Sequence, residues 1–548
     1  MSGETGDFLV LEQANGDRRM RRLNKAFVCP HLPVRLVANA KAPWREPSTR
    51  ARTLRITARR IAYGVATVVE GDQSAAMNTS PRCSRRRFLT RSGAAAASLA
   101  WVGLPLLTFR RSVAADATAT ELKWIARIAD PEIRAGVEAA VHKNLLPAAT
   151  ERVYPGHFTI NADGGGYGSD TTWPGLDSWQ MIGPYLQLGR TRMVLDYFDF
   201  VRTSQRRDGN IPFAIFNGET RPGGCLRGLK YPDDVFTYRP PKREGLPASS
   251  QETRSWVGLF EHWQTKGYPL TTLGSICYLL TAAEIFNATG SASWLRERLP
   301  SVEAAARFLL TLRQAQGLIG GAGFYIESPP REGCDGVTQC YAVHAFSEVA
   351  QLCDAADASA KASEWRGHAE RLARDFREVF WREDHFGEYV HPERGLVDIH
   401  GLSDVNWAAV AFGLVEKERL QRLWTRLVAE PGFWAGDMPT QLVTKPSAYE
   451  PWEWQRSEDC PGDPLNDVAA MGRVWHLETL ACERMGARAR LVESVRKVCR
   501  AAREDGYWRE RYHLKPDGTV SADGSQKYCE YAAVLVRVVL RNRELFAG

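Results

Sequence analysis

Long alternating strands are scarce in this 548-residue chain, and with them goes any architecture built mainly from β-sheet. There is no C-x-x-C pair and no His/Cys spacing of the zinc type, so the sequence offers no metal signature, and no metal or organic cofactor is expected. The best apolar run, Gly93 to Phe109, is too short and alanine-rich to span a bilayer well. A basic surplus is missing too, once it is located. Of 71 Lys+Arg and 64 Asp+Glu, residues 1–117 take 20 and 8, which leaves 51 and 56 in the remainder. That remainder is slightly acidic, so nucleic acid is not expected as a partner. Nine of the 11 cysteines lie beyond residue 117. Cys277, Cys340, Cys353, Cys482 and Cys499 fall in helical patterns, as small apolar packing groups. Cys225, Cys334, Cys460 and Cys529 fall in or beside loops, where pairing stays open.

Residues 84–90, Ser-Arg-Arg-Arg-Phe-Leu-Thr, resemble the twin-arginine export signal. Arg85 and Arg86 precede the apolar run, then come Arg110 and Arg111 and the small-residue cleavage pattern Ala115-Asp116-Ala117. This order implies a leader over 77–117, opening at Met77, and a destination in the periplasm or outside the cell. A retained anchor is the alternative; no stable membrane insertion is expected. Residues 1–76 carry many arginines and no hydrophobic period, the pattern of an over-extended start or a disordered basic arm. The folded domain is expected over 118–548.

Helical periodicity recurs in twelve segments: 131–143, 176–189, 192–206, 270–287, 300–315, 337–355, 361–380, 403–414, 417–429, 463–485, 488–503 and 526–543. In the sixth, Val337, Tyr341, His344, Ala345, Phe346 and Val349 recur at three- and four-residue spacing. Short and long connections alternate. The long ones, 144–175, 208–269, 316–336, 381–402, 430–462 and 504–525, each lead into an even-numbered helix. Long loops in a compact domain are usually functional. The pattern predicts an all-α fold, an (α/α)6 toroid of six helical hairpins with the long loops on one face. An irregular solenoid would show repeats of like length and sequence, which are missing here.

Tryptophans collect in the long loops: Trp173, Trp256, Trp263, Trp434, Trp452, Trp454 and Trp508. Indole faces at a rim suit sugar rings, whose C–H faces stack on π systems. Cleaving a glycosidic bond needs two carboxyls facing each other across it, one protonated to release the leaving oxygen and one ionised.

Gly506-Tyr507-Trp508-Arg509-Glu510-Arg511-Tyr512, then Pro516-Asp517-Gly518 and a helix entered through Tyr528-Cys529-Glu530-Tyr531-Ala532-Ala533, resembles the last loop and helix of glucoamylase-type enzymes. In these enzymes, and in related trehalases and processing α-glucosidases, a Glu-x-Tyr before the twelfth helix supplies the catalytic base, which implies Glu510. Gly323-Phe324-Tyr325-Ile326-Glu327-Ser328 before Asp335-Gly336-Val337-Thr338-Gln339 resembles the segment that carries the general acid, which implies Glu327. The apolar Ile326 beside it suits an acid that must hold a proton. Asp335 is the alternative acid, since trehalase-like relatives place an Asp in that loop. Thr172-Trp173-Pro174-Gly175-Leu176-Asp177-Ser178 is similar to the W-x-R-D-S stretch whose Asp grips sugar hydroxyls, implying this role for Asp177, although an Asp at a helix start also serves as an N-cap. Leu176 stands where the family has arginine, which removes a donor fork and weakens any inference of glucose specificity.

Tyr449-Glu450-Pro451-Trp452-Glu453-Trp454, with Asn466 beyond, resembles the region where α-L-rhamnosidases carry their base, and makes Glu453 the alternative base. Trp173, Trp452, Trp508, Tyr512 and Asp404 are expected to line the substrate site, with His400, Asn406 and Trp407 nearby. The resemblance, scattered over 120–548, implies a glycoside hydrolase of the six-hairpin superfamily acting on oligo- or polysaccharide, with inversion. The rivals are a polysaccharide lyase on the same toroid, drawing its base from His262, His391, His400 or Tyr531, and a non-catalytic carbohydrate-binding protein. Oligomeric state has no signature in the sequence.

Overall fold

A computed structural model describes residues 9–14, 17–22, 123–150, 154, 157–159, 171–175, 178–217, 237–242, 253–260, 271–321, 323–454, 465–501 and 506–548. The chain falls into two compact units, Met1–Ser98 and Leu99–Gly548. In the first, Leu9–Ala14 and Asp17–Arg22 pair as an antiparallel hairpin. The export motif and its apolar run lie outside the described residues, as do Asp177, His262, Trp263, Cys225 and Cys460.

The second unit is rich in helix. In chain order these are α1 (Pro131–Ala139), α2 (Ser178–Gln187), α3 (Thr191–Arg202), α4 (Leu273–Thr289), α5 (Ala292–Thr311) and α6 (Gly336–Ala355). They continue with α7 (Ser359–Phe380), α8 (Asp404–Ala411), α9 (Lys417–Ala429), α10 (Gly472–Met485), α11 (Arg488–Ala501) and α12 (Cys529–Arg541). Each coincides with one of the periodic segments. The largest boundary errors are at α5 and α10. Pro300 reads as a helix start, but Ser291 caps α5 earlier through Trp294 N (3.3 Å) and the proline is carried inside. Residues 465–471 do not join α10, because Ala470–Met471 is a strand.

The even-numbered helices touch in sequence round a closed cycle, α2–α4–α6–α8–α10–α12 and back to α2. The odd-numbered helices pack outside it: α3 on α4, α5 on α4 and α6, α7 on α6, α9 on α8, α11 on α10 and α1. The two sets differ in sequence for that reason. The α4 sequence LGSICYLLTAAEIFNAT has one charged side chain, Glu284, and is buried almost all round. A helix walled in on every side needs apolar residues on every face. By contrast, α7 buries only Ala362, Trp365, Ala369, Leu372, Ala373, Phe376 and Phe380, one stripe at helical spacing, and turns Lys, Arg and Glu outward.

The expectation of an all-helical chain needs one correction: the loops carry short antiparallel sheets. Thr171–Thr172, Ala214–Asn217, Trp256–Leu259 and Thr237–Tyr238 form one. Two others tie the loops together. Cys334–Asp335 pairs with Tyr389–His391, joining the loop before α6 to the loop before α8. Ala470–Met471 pairs with Arg509–Leu514, joining the loops before α10 and α12. Strands of two to four residues leave no readable alternation, and the longer Arg509–Leu514 buries three residues in succession instead of alternating. Cys334 is buried as a free thiol at the head of α6, and Cys529 is buried at the head of α12. Among the described residues no helix is long and apolar enough to cross a membrane.

Candidate active site

Glu510 lies in strand Arg509–Leu514, which pairs with Val520–Gln526 across a bulge: Arg509 faces Gln526 but Arg511 faces Asp523. Gly524 and Ser525 therefore oppose Glu510 alone. Gly524 has φ +79°, and a Cβ there would come within 2.6 Å of the Glu510 Cβ and 2.7 Å of its Oε2. Only glycine allows both the left-handed backbone and this close approach. The bulge thus seats Gly524 directly against the Glu510 side chain.

Two guanidiniums meet it there. Arg511 Nη2 lies 2.8 Å and Arg473 Nη2 3.3 Å from Glu510 Oε1. Opposite charges this close favour the ionised carboxylate. Arg473, at the start of α10, also pairs with Glu530 at the start of α12 (2.5 Å) and donates from Nη1 to the Tyr325 carbonyl (2.9 Å). Arg511 Nε donates to Asp467 Oδ1 (2.9 Å). The other Asp467 oxygen, Oδ2, accepts the backbone N–H of Glu327 (2.6 Å) and of Ser328 (3.0 Å). Glu327, whose side chain is half-buried, therefore hangs on the same network as Glu510. The burial of Asp467 raises its pKa, but Arg511, Arg473 and the two amides outweigh this and hold it below the usual range.

A second network surrounds Arg331. Its Nε donates to Glu388 Oε1 (2.7 Å), Nη1 to Asp335 Oδ1 (2.9 Å) and Nη2 to Asp404 Oδ1 (2.8 Å). Glu388 also takes Tyr449 OH (2.8 Å) and His400 Nδ1 (2.5 Å), and the other His400 nitrogen lies 3.1 Å from Glu453 Oε2. Burial lowers the His400 pKa, but the two glutamates overcome it and push it up to about 9. Burial raises the Glu388 pKa, yet Arg331 and His400 bring it down to about 2. Asp404 goes the other way, to about 6, because burial and its acidic neighbours outweigh Arg331. Tyr325 joins the two networks, since its hydroxyl donates to Asp404 Oδ2 (2.8 Å) while its carbonyl takes Arg473. Every one of these groups comes from the loop before α6, α8, α10 or α12, or from the first turn of the helix itself.

The predicted residues separate by what they have left to offer. Asp335 is fully buried and caps α6, with Oδ2 accepting Thr338 N and Oγ1 and Oδ1 held by Arg331. Asp404 is equally buried on Arg331 and Tyr325. Glu453, its side chain 1% exposed, accepts from Tyr389 OH (2.6 Å), Glu450 N (2.8 Å) and His400. Trp173 packs on Phe213 and Phe216, and Trp508, fully buried, donates Nε1 to the Val498 carbonyl. Both indoles are buried. Tyr512 is buried, its hydroxyl accepting Arg509 N (2.9 Å). Trp452 stays at the rim, half-buried, with the Arg394 guanidinium 4.1 Å from its ring centre. Among the lyase candidates, Tyr531 is buried with its hydroxyl on the Pro439 carbonyl, and His400 is sealed between its glutamates. Among the described residues no group of three His, Cys, Asp or Glu side chains is arranged to hold a metal ion.

Sequence reasoning missed Asp467, Arg473, Arg511, Arg331 and Glu388. One signal was available: Arg473 and Glu530 are charged residues in the first turns of inner helices, and a buried charge requires a partner.

Neither a family model nor a curated protein matches the chain. Among solved structures it is similar to a GH78 family rhamnosidase of Bacillus sp. GL1, with TM-score 0.50 and 15% identity over 76% of this chain and 35% of that one. It is also similar to a rhamnosidase from Klebsiella oxytoca with rhamnose bound (TM-score 0.47, 13% identity, 76% of this chain and 64% of that one). A third is a GH63 mannosylglycerate hydrolase from Thermus thermophilus in complex with glucose (TM-score 0.48, 13% identity, 72% and 98%). The chain spans about a third of the length of the Bacillus enzyme, and with that part it shares a fold.

Proposed function

We propose that this chain is a glycoside hydrolase on an (α/α)6 toroid, with Glu327 as general acid and Glu510 as general base. The observation that carries this reading is the pairing of the two residues. They come from the loops before α6 and α12, helices on opposite sides of the cycle, yet they hang on one hydrogen-bonded network. They are also the carboxylates of the two networks that keep the most contact with solvent. The Glu510 side chain is 10% exposed and Glu327 is half-buried, against 0–2% for Asp335, Asp404, Glu388, Glu453 and Asp467. The fold shared with the Bacillus rhamnosidase agrees with it.

Glu327 gives its proton to the leaving oxygen as the glycosidic bond breaks, and Glu510, ionised beside Arg473 and Arg511, takes a proton from the attacking water. Neither step needs a metal or organic cofactor. A water between the two carboxyls gives inversion and needs them roughly 6.5–9.5 Å apart. The substrate is oligo- or polysaccharide, with Trp452 at the rim and Asp177 holding sugar hydroxyls. Arg85-Arg86 and the cleavage pattern at Ala115–Ala117 support export through the twin-arginine route to the periplasm or beyond. Digestion of a glycan panel with anomer-resolved detection tests the whole reading: inverted reducing ends are expected. Products absorbing in the ultraviolet through a new double bond would select a lyase, and binding without turnover a lectin-like protein.

A further inference from the structure

Glu327 and Glu510 come from loops that lead into helices on opposite sides of the cycle. What joins them is Asp467, a residue with no part in the two-carboxylate chemistry. Its two oxygens are divided between the two halves of the site. Oδ2 takes two consecutive amides of the acid's turn, Glu327 N at 2.6 Å and Ser328 N at 3.0 Å, and Oδ1 takes Arg511 Nε at 2.9 Å. Arg511 in turn holds Glu510 Oε1 at 2.8 Å. The Asp467 backbone N–H donates to the Ser328 carbonyl (2.9 Å), so this turn is gripped by both main chain and side chain. The Asp467 side chain is 1% exposed, so water does not compete for these bonds.

We infer that Asp467 is a positioning residue that fixes the separation and aim of the two working carboxyls. The inference rests on the reading of Glu327 and Glu510 as acid and base. Only a carboxylate can do this, because its side-chain contacts all approach as donors and demand an acceptor on both oxygens. An asparagine must turn its NH2 either toward Arg511 or toward the two amides, donor against donor, and one half of the site then comes loose.

The test uses the full chain with D467A, D467N and R511K, alongside E327Q and E510Q. Amide exchange read by mass spectrometry over the peptide containing residues 324–329 should quicken in D467A, which removes the acceptor of both the Glu327 and the Ser328 amide. On a substrate found in the panel, D467N should lose turnover by about 10- to 100-fold, the scale of a misplacement near 1 Å, with KM changed by less than about threefold. R511K keeps the charge but loses the fork between Asp467 and Glu510. It should move the pH–rate profile in the limb set by the base, which a merely structural change would leave in place. Unchanged exchange in D467A overturns the inference, as does wild-type turnover in D467N when E327Q and E510Q are dead. Wild-type turnover in E327Q or E510Q instead overturns the acid–base pair, and this inference with it.

Discussion

The two networks are made of the same parts and differ in what they leave over. Around Arg331, one guanidinium is met by Asp335, Glu388 and Asp404, with His400, Tyr449 and Glu453 beyond, and no side chain among the ion-paired members is more than 2% exposed. Around Arg473 and Arg511 the same chemistry is opened at one side: Glu510 and Arg511 are each 10% exposed and Glu327 is half-buried. A carboxylate with every lone pair engaged by the protein cannot exchange a proton with substrate. One that keeps contact with solvent can. The comparison fits our proposal that the first network is scaffolding and the second carries the chemistry, with Tyr325 bonded to both.

The largest effect should come from breaking the sealed side. R331M leaves Asp335, Glu388 and Asp404 buried without their shared cation, and removing one partner of a buried pair costs about 3–5 kcal/mol. Chemical denaturation should show a loss of at least that size, or no soluble protein. A variant as stable as the parent would mean that Arg331 is not the keystone of the loops before α6 and α8.

Next in size is the contrast between open and closed carboxylates. E327Q and E510Q should each keep the parent's melting temperature within a few degrees and lose on the order of 10²-fold or more in turnover. E453Q is the control for the alternative base. Its glutamate is occupied by Tyr389, His400 and Glu450, so it should lose stability and keep most of its rate. Full activity in E510Q with a dead but folded E453Q would exchange the two roles and reverse the assignment of the networks.

The extent to which the sequence announces all this follows from the physics of each feature. The twelve helices are legible because amphipathic periodicity is a local property, and the walled-in α4 differs visibly from the striped α7. Glu327 and Glu510 are legible as loop carboxylates ahead of inner helices. The division of labour is not. Asp335 and Asp404 look as eligible as Glu510 until burial and hydrogen bonds are known, and Trp173 and Trp508 look like rim residues until the loops fold over them. Asp467 has no local signature at all, for its role consists of contacts with residues 327, 328 and 511, distant in sequence.

The smallest effect is the one that separates stability from rate. His400 is buried between Glu388 and Glu453 with its pKa pushed up from 6.5 to about 9. A base whose pKa is raised on folding contributes stability in full below its unfolded value, and loses it as the pH climbs through the folded one. The contribution of His400 should thus be intact near pH 6 and disappear between about 6.5 and 9. Its carboxylate neighbours do not confuse that window. Glu388, lowered to about 2, acts above 4.5 and fails only on acidification, and Asp404, raised to about 6, has lost its proton by neutrality. For a domain of this size the expected fall in melting temperature across the window is on the order of 3 °C. H400Q should melt lower at pH 6 and converge on the parent by pH 9. Turnover measured well below the melting temperature should not follow that limb, because His400 belongs to the sealed network. Parallel melting curves for parent and variant would show that the imidazole is neutral in the folded protein. A rate that tracks the His400 titration would place the histidine, and Glu453 with it, in the working site.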